Sequence, residues 1–219
     1  MVFFTGKGDD GTTTTLSDSL VSATGRRISK NSAITEALGS LDEINSFLGL
    51  CKVQAVHLGY KLGEVSLAEI IHNIQKNLFI IQAELAGAPK TITEDKVKEL
   101  EDIVGDIEKE LPPIKSFFIS GGSSDITKWQ LGGAGLGAIF DIARAIARRA
   151  ERRVIAVFDE VSQPTLLNSD SKADSVKVSA GNVSKQTKAY LNRLSSALYA
   201  LARFSNHKVG IIEESPDYR

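Results

Sequence analysis

Five arginines crowd one short window, RAIARRAERR at residues 144–153. At about 100° per residue on a helix, Arg144, Arg148, Glu151 and Arg152 fall on one side, and Ile139, Ile146, Ala150 and Val157 on the other. Three guanidiniums then face one way. Their planar forks can hold phosphate through paired hydrogen bonds, and their charge survives partial burial. A solvated face laced by pairs three and four residues apart would read the same. A second polar strip lies in LGSLDEINSFLG, residues 38–49, where Asp42, Asn45 and Gly49 run beside an apolar stripe. The strip faces a neighbour, and a basic helix elsewhere offers Asp42 an ion-pair partner.

The stretch FFTGKGDDGTTTTLSD, residues 3–18, carries another chemistry. Glycines at 6, 8 and 11 let backbone amides turn toward one point, and Lys7 with the threonine hydroxyls adds donors around it. Phosphate can be held this way. The stretch is not a Walker loop, G-x-x-x-x-G-K-[ST], because Lys7 is followed by Gly8. Spacing alone leaves a tight turn or a loose tail open as well.

Three other motifs fall away. Glu69-Ile-Ile-His72 has the E-x-x-H spacing of a di-iron bundle, but no second such pair with facing glutamates completes it. GGAGLG, residues 132–137, lacks the preceding strand and the spacing of a dinucleotide loop and is expected to be a flexible turn. His57, His72 and His207 lie far apart, and with one cysteine no nucleophile and base pair stands out. An enzyme built from this chain would take its nucleophile from a substrate.

The elements that must position these groups are helices. Ile34, Ala37, Leu41, Ile44, Leu48 and Cys51 recur at steps of three and four, which predicts an amphipathic helix over about 33–57, ended by Gly59 and Gly63. A second stripe runs from Leu67 to Leu85, and a third from Val97 to Leu111 stops at Pro112-Pro113. The fourth carries Ile139 to Val157 and the fifth Tyr190 to Leu201. No strand of comparable length is expected. Residues 120–137 and 159–182 are rich in turn formers and are expected as long loops or insertions. With no repeat or composition break, the economical architecture is all-α, a single five-helix bundle over 1–219.

Composition narrows the partners. At 219 residues, 42% hydrophobic, the chain can bury a sizeable core. Its 26 lysines and arginines against 27 acids argue against broad nucleic-acid or membrane-surface binding, so any phosphate chemistry is local. The single cysteine, Cys51, excludes an internal disulfide framework and a thiolate zinc site. With no basic-then-apolar leader and no apolar run of about 18 residues, a cytoplasmic protein is expected.

Six blocks in order resemble one family. They are T-x-x-G-D-x-G-x-T (Thr5, Gly8, Asp9, Gly11, Thr13), SK at 29 and 30, G-x-x-DE-x-N from Gly39 to Asn45, F-x-x-x-GG from Phe117 to Gly122, R-x-x-x-RRAERR from Arg144 to Arg153, and YLNRLS followed by LAR from Tyr190 to Arg203. Together they are similar to the ATP:cob(I)alamin adenosyltransferases of the propanediol-utilisation type, over nearly the whole chain. The resemblance implies a homotrimer of five-helix bundles, with ATP in a cleft between neighbouring subunits and the corrinoid docked beside it. It implies that the glycine-rich N-terminal loop (Thr5, Gly6, Lys7, Gly8, Asp9, Gly11, Thr12 and Thr13) folds around the triphosphate. Lys30, Arg148, Arg152 and Asn192 look like further ATP contacts, and Glu151 like an orienting or magnesium-linked acid. Asp42 would pair with Arg144 across the subunit boundary, and Phe117 looks like an aromatic wedge in the corrinoid pocket, its alternative being core packing beside Phe118.

The reaction so implied is displacement at the 5′ carbon of ATP by the cobalt of a reduced corrinoid, releasing triphosphate. The protein then supplies position and electrostatics, with Mg2+ carried by ATP and no fixed protein metal site. A reductase and an adenosylcobalamin-dependent enzyme are the further partners implied. Gly6, Ser120 and the two long segments depart from the family pattern near the corrinoid. A non-catalytic ATP or corrinoid binder of the same fold, acting as chaperone or sensor, is the rival reading, and a purely structural helical oligomer the second.

Overall fold

The computed structural model describes residues 4–15, 27–114, 116–122, 133–162 and 183–217. Five helices dominate them: α1 (Ala33–Leu58), α2 (Leu67–Leu85), α3 (Glu94–Glu110), α4 (Gly133–Ser162) and α5 (Lys185–Lys208). Each expected stripe forms its helix for the reason it was legible, since the periodic residues Leu41, Ile44, Leu48, Ile71, Leu78, Ile81, Leu194 and Leu198 are all fully buried in one shared core.

The ends obey local chemistry. Ser66 and Ser184 accept hydrogen bonds from the amides of Glu69 and Thr187, both at 3.1 Å, and so cap α2 and α5. Gly59 takes the left-handed conformation (φ 67°) that closes α1, its amide donating to Ala55 O at 3.0 Å. Two short antiparallel strand pairs accompany the helices: β1 (Thr12–Thr14) with β2 (Arg27–Ser29) ahead of α1, and β3 (Lys61–Leu62) with β4 (Val65–Ser66) between α1 and α2.

α4 packs on α5 and α1, α1 on α2, and α3 on α5. Ion pairs mark the directions. Arg149 with Glu43 and Arg153 with Glu36 run α4 antiparallel to α1, whereas Arg193 with Glu101 and Lys208 with Glu110 run α5 parallel to α3. The buried Glu84 at the end of α2 accepts from Ser184 N and Thr187 Oγ1, each at 2.6 Å, so a carboxylate neutralises the orphan amides where α5 starts.

One expectation is corrected. The GGAGLG stretch is not wholly a turn: α4 starts at Gly133, and it runs on to Ser162 inside the second expected loop. At Gly137 a Cβ would overlap Asn206 Oδ1 and stand 3.1 Å from Ala202 O, so glycine is there to let α4 approach α5. The rest of both expected loops, 123–132 and 163–182, lies outside the described residues. Among the described residues no helix is long and apolar enough to cross a membrane.

Candidate active site

The N-terminal loop folds on the β1–β2 hairpin. Gly6 and Gly11 adopt left-handed φ of 67° and 77°, which glycine permits without strain. Asp9 N bonds to Gly6 O and Gly11 N to Gly8 O, each at 3.2 Å, making two successive tight turns. Lys30 closes the loop from the far strand, with its amide on Gly11 O at 2.9 Å and its Nζ on Gly8 O at 2.7 Å. A Cβ at position 8 would stand 2.8 Å from Lys30 Nζ and 3.3 Å from Thr12 O, so any larger residue there would push the lysine off the loop.

Arg27, which carried no expected role, organises the same loop. Its guanidinium donates to Thr12 Oγ1, to Lys7 O, to Thr12 O at 2.9 Å and to Asp10 Oδ1 at 3.2 Å. Hydrogen bonds from the Thr12 hydroxyl and amide, with Arg27 beside them, hold the Asp10 carboxyl below its usual range. The loop therefore stands preformed, with Thr5, Lys7 and Asp9 exposed at its tip. The signal for Arg27 was slight: a second basic residue just ahead of the SK pair.

α4 sorts its arginines by face. Arg149 and Arg153 turn to α1 and its glutamates. Arg148 and Arg152 are exposed and have no ion-pair partner among the described residues. Glu151 lies between them in sequence and accepts a hydrogen bond from Asn192 Nδ2 of α5 at 3.1 Å, which brings two expected site residues together. Arg149 and Arg153 are thus engaged within the chain, whereas Arg148 and Arg152 are, among the described residues, left open to solvent.

Arg148 and Arg144 also line a cleft of about 710 Å3 closed by the end of α3, by residues 111–114, 117, 118 and 120, and by α5. Phe117 hangs over it, 78% exposed, which rules out core packing for that ring. The walls are apolar at Val104, Ile107, Leu111 and Ala200, and polar at Asp141, Ser195, Ser196 and Tyr199. Two buried polar atoms there, Arg144 Nε and Tyr199 OH, have no hydrogen-bond partner among the described residues. Such atoms cost free energy unless a ligand or water meets them. Arg144 stands 3.9 Å from Asp141 Oδ1, too far for a firm pair, because Asp141 bonds Arg203 at 2.6 Å instead.

The expected site residues thus form three groups: Thr5 to Thr13 with Lys30, Glu151 with Asn192, and Phe117 with Arg144 and Arg148. No described residue of the N-terminal loop lines the Phe117 cleft of the same chain. Asp42 is exposed on α1 and has no ion-pair partner among the described residues. Sequence reading passed over Asp141 and Tyr199, which line the Phe117 cleft, and Arg203 and Glu213, which pair behind them; Arg203 was visible only as the last letter of LAR. Cys51 is a core residue whose thiol burial pushes up to about 12, so it is no reactive thiolate.

The chain is a helical bundle with an arginine-lined, partly apolar cleft and, apart from it, a preformed glycine-rich loop. The family model described as cobalamin adenosyltransferase matches residues 3–205, and the chain belongs to that family. It is 31% identical over 217 residues to the corrinoid adenosyltransferase of Bacillus subtilis, covering 96% of this chain and 90% of that one. Corrinoid adenosyltransferase PduO of Citrobacter freundii is 31% identical over 214 residues, 94% of this chain but 50% of the relative, and that of Salmonella typhimurium is 30% identical over 53% of its length. The chain therefore spans about half the length of these PduO relatives. A variant of the PduO-type ATP:corrinoid adenosyltransferase from Lactobacillus reuteri, solved with cobalamin and ATP, superposes with a TM-score of 0.72, covering 99% of this chain and 97% of that one. At 22% identity that likeness speaks for the fold.

Proposed function

We propose that the chain transfers the 5′-deoxyadenosyl group of ATP to the cobalt of a reduced corrinoid, releasing triphosphate. The observation that carries this reading is the exposed Phe117 over a large apolar cleft that also presents the unpaired Arg148. The curated relatives point the same way: each is a corrinoid adenosyltransferase by name.

The cobalt–carbon bond forms as the C5′–O bond breaks, and both electrons of the latter leave on the triphosphate. No protein nucleophile is needed, and none is offered. Arg148 and Arg152 bind the phosphates and offset the negative charge that grows on the leaving oxygen. Lys30 and the loop from Thr5 to Thr13 hold the rest of the triphosphate, Lys30 Nζ exchanging Gly8 O for phosphate oxygen. Asn192 orients Glu151 and reaches toward the nucleotide. Mg2+ fits here as a passenger on the triphosphate, since it favours phosphate oxygens with one or two carboxylates, and Glu151 is the carboxylate it would face. Phe117 excludes water and a lower cobalt ligand from the corrinoid face.

A homotrimer completes the site in this reading. Asp42 shares its strip of α1 with the exposed Val53 and Val56, all within about 60°. That strip would meet a neighbour, place Asp42 on Arg144, and bring one subunit's loop to another's cleft. The chain would work in the cytoplasm, with an electron donor supplying the reduced corrinoid and an adenosylcobalamin-dependent enzyme consuming the product. The test is anaerobic incubation with ATP, Mg2+ and chemically reduced corrinoid. Adenosylated product and triphosphate in equal amounts are expected. Tight binding of both ligands without product would turn the reading to a chaperone or sensor.

A further inference from the structure

The chain beyond α5 folds back along the segment that carries Phe117. Ile119 N donates to Glu214 O at 2.8 Å, and the Ser116 and Ser215 hydroxyls meet at 2.6 Å. Ile211 lies so close on Gly122 that a Cβ there would overlap it. The tail in turn is anchored at Glu213. Its Oε1 accepts from Asn206 Nδ2 at 2.7 Å and stands 2.8 Å from Arg203 Nε, an ion pair rather than an aligned hydrogen bond.

Arg203 is the hub beneath. It is 2% exposed, donates to the equally buried Asp141 at 2.6 Å, and stacks over the rings of Tyr199 at 4.9 Å and Phe118 at 5.7 Å. Asp141, Tyr199 and Phe118 all line the Phe117 cleft. Phe117 itself is 78% exposed, so its own packing cannot hold it in place. Its position must come from the backbone that carries it, and the tail supplies that backbone's contacts.

We propose that Glu213 is a positioning residue: seated on Arg203 and Asn206, it fastens the C-terminal tail to segment 116–122 and so sets where Phe117 stands over the cleft. The kinetic consequence rests on the adenosyltransferase reading, whereas the clamp does not. Glu213 touches no reacting atom, so its effect is confined to steps that depend on the placement of Phe117.

The test is made on Glu213, which lies beyond the last helix. Removing Arg203 would strand Asp141 as a buried unpaired charge and endanger the fold. Full-length Glu213→Ala and Glu213→Gln are compared with the parent by amide hydrogen exchange and by kinetics. In Glu213→Ala the exchange of the Ile119 amide should speed up at least tenfold while that of α1 and α4 stays unchanged. Glu213→Gln keeps the acceptor oxygen and should stay near the parent. With ATP, Glu213→Ala should raise the KM for corrinoid and lower turnover from cob(II)alamin more than from prereduced cob(I)alamin, leaving ATP affinity unchanged. Parental exchange at Ile119 in Glu213→Ala overturns the clamp, and equal losses from both cobalt states overturn the positioning role. A parent chain inert toward corrinoid sinks the proposed function alone, and the exchange of Ile119 still decides the clamp.

Discussion

Replacing Phe117 with alanine separates a wedge from a core residue more cleanly than any other change. With 78% of its surface exposed, about a fifth of a side chain able to bury some 150–250 Å2 is covered, or about 40 Å2. At about 25 cal/mol per Å2 its loss costs about 1 kcal/mol. In a chain of 219 residues that lowers Tm by about 2–4 °C. A buried phenylalanine such as Phe140 or Phe204 would cost about 3–5 kcal/mol and remove every activity together. Tm, ATP affinity by calorimetry, and turnover from both cob(II)alamin and prereduced cob(I)alamin should be read on one preparation. The expected result is a small Tm shift, parental ATP binding, a severe loss from cob(II)alamin and a much milder one from cob(I)alamin. A fall in stability above about 3 kcal/mol, or equal fractional losses from the two oxidation states, would refute the reasoning from exposure.

Arg148→Ala should leave Tm unchanged, since the side chain is exposed and its helix keeps its apolar face. ATP affinity should fall roughly tenfold to a hundredfold, the worth of a charge-assisted bond of about 1.5–3 kcal/mol, and parental affinity by calorimetry would remove the phosphate role. Asp42→Arg should weaken assembly by sedimentation, and adding Arg144→Asp should restore part of it; no recovery in two folded variants would dismiss the intersubunit pair. Gly137→Ala should destabilise the chain by about 1–3 kcal/mol, because α4 must back away from Asn206 and Ala202 on α5, and a gain in Tm would show the close approach to be dispensable. For Glu213, burial pushes the carboxyl above its usual range, opposed by Asn206 and Arg203 and reinforced by Asp141, with His207 also facing it. The docked tail then holds the proton more tightly than the free tail. Docking is therefore fullest below the ordinary glutamate range and weakens as pH rises through that range to the raised value. Protection of Ile119, corrected for intrinsic exchange, should follow this course in the parent and stay flat in Glu213→Gln.

The helices were legible wherever one face alone is buried. The stripe from Ile34 to Cys51 predicts 33–57 and α1 spans Ala33–Leu58, because period and burial coincide there. The start of α4 was not legible, since the glycines of 132–137 carry low helix propensity and the close approach to α5 that Gly137 serves leaves no local trace. The face shared by Arg148 and Arg152 could be read from helix geometry, whereas the assignment of Arg149 and Arg153 to Glu43 and Glu36 depends on how α1 and α4 pack.

Arg203 shows why the support behind the cleft was missed. It lies about 180° around α5 from Leu194, so a reading based on one apolar stripe sends it to solvent. In the fold the second half of α5 is buried on every side: Ala200, Leu201, Ala202, Arg203, Phe204, Ser205 and Asn206 are all covered. A charge sealed there needs counter-charges close at hand, and Asp141 and Glu213 provide them from α4 and from the tail. Alanines at 197, 200 and 202 on several faces of α5 were the available clue, since small residues all round a helix mark one enclosed by neighbours. From an enclosed helix the search for acids follows, and it leads to residues 141 and 213, one on the arginine helix and one past the last stripe. Phe117 is held by what lies behind it, and that backing is assembled from segments no local pattern joins.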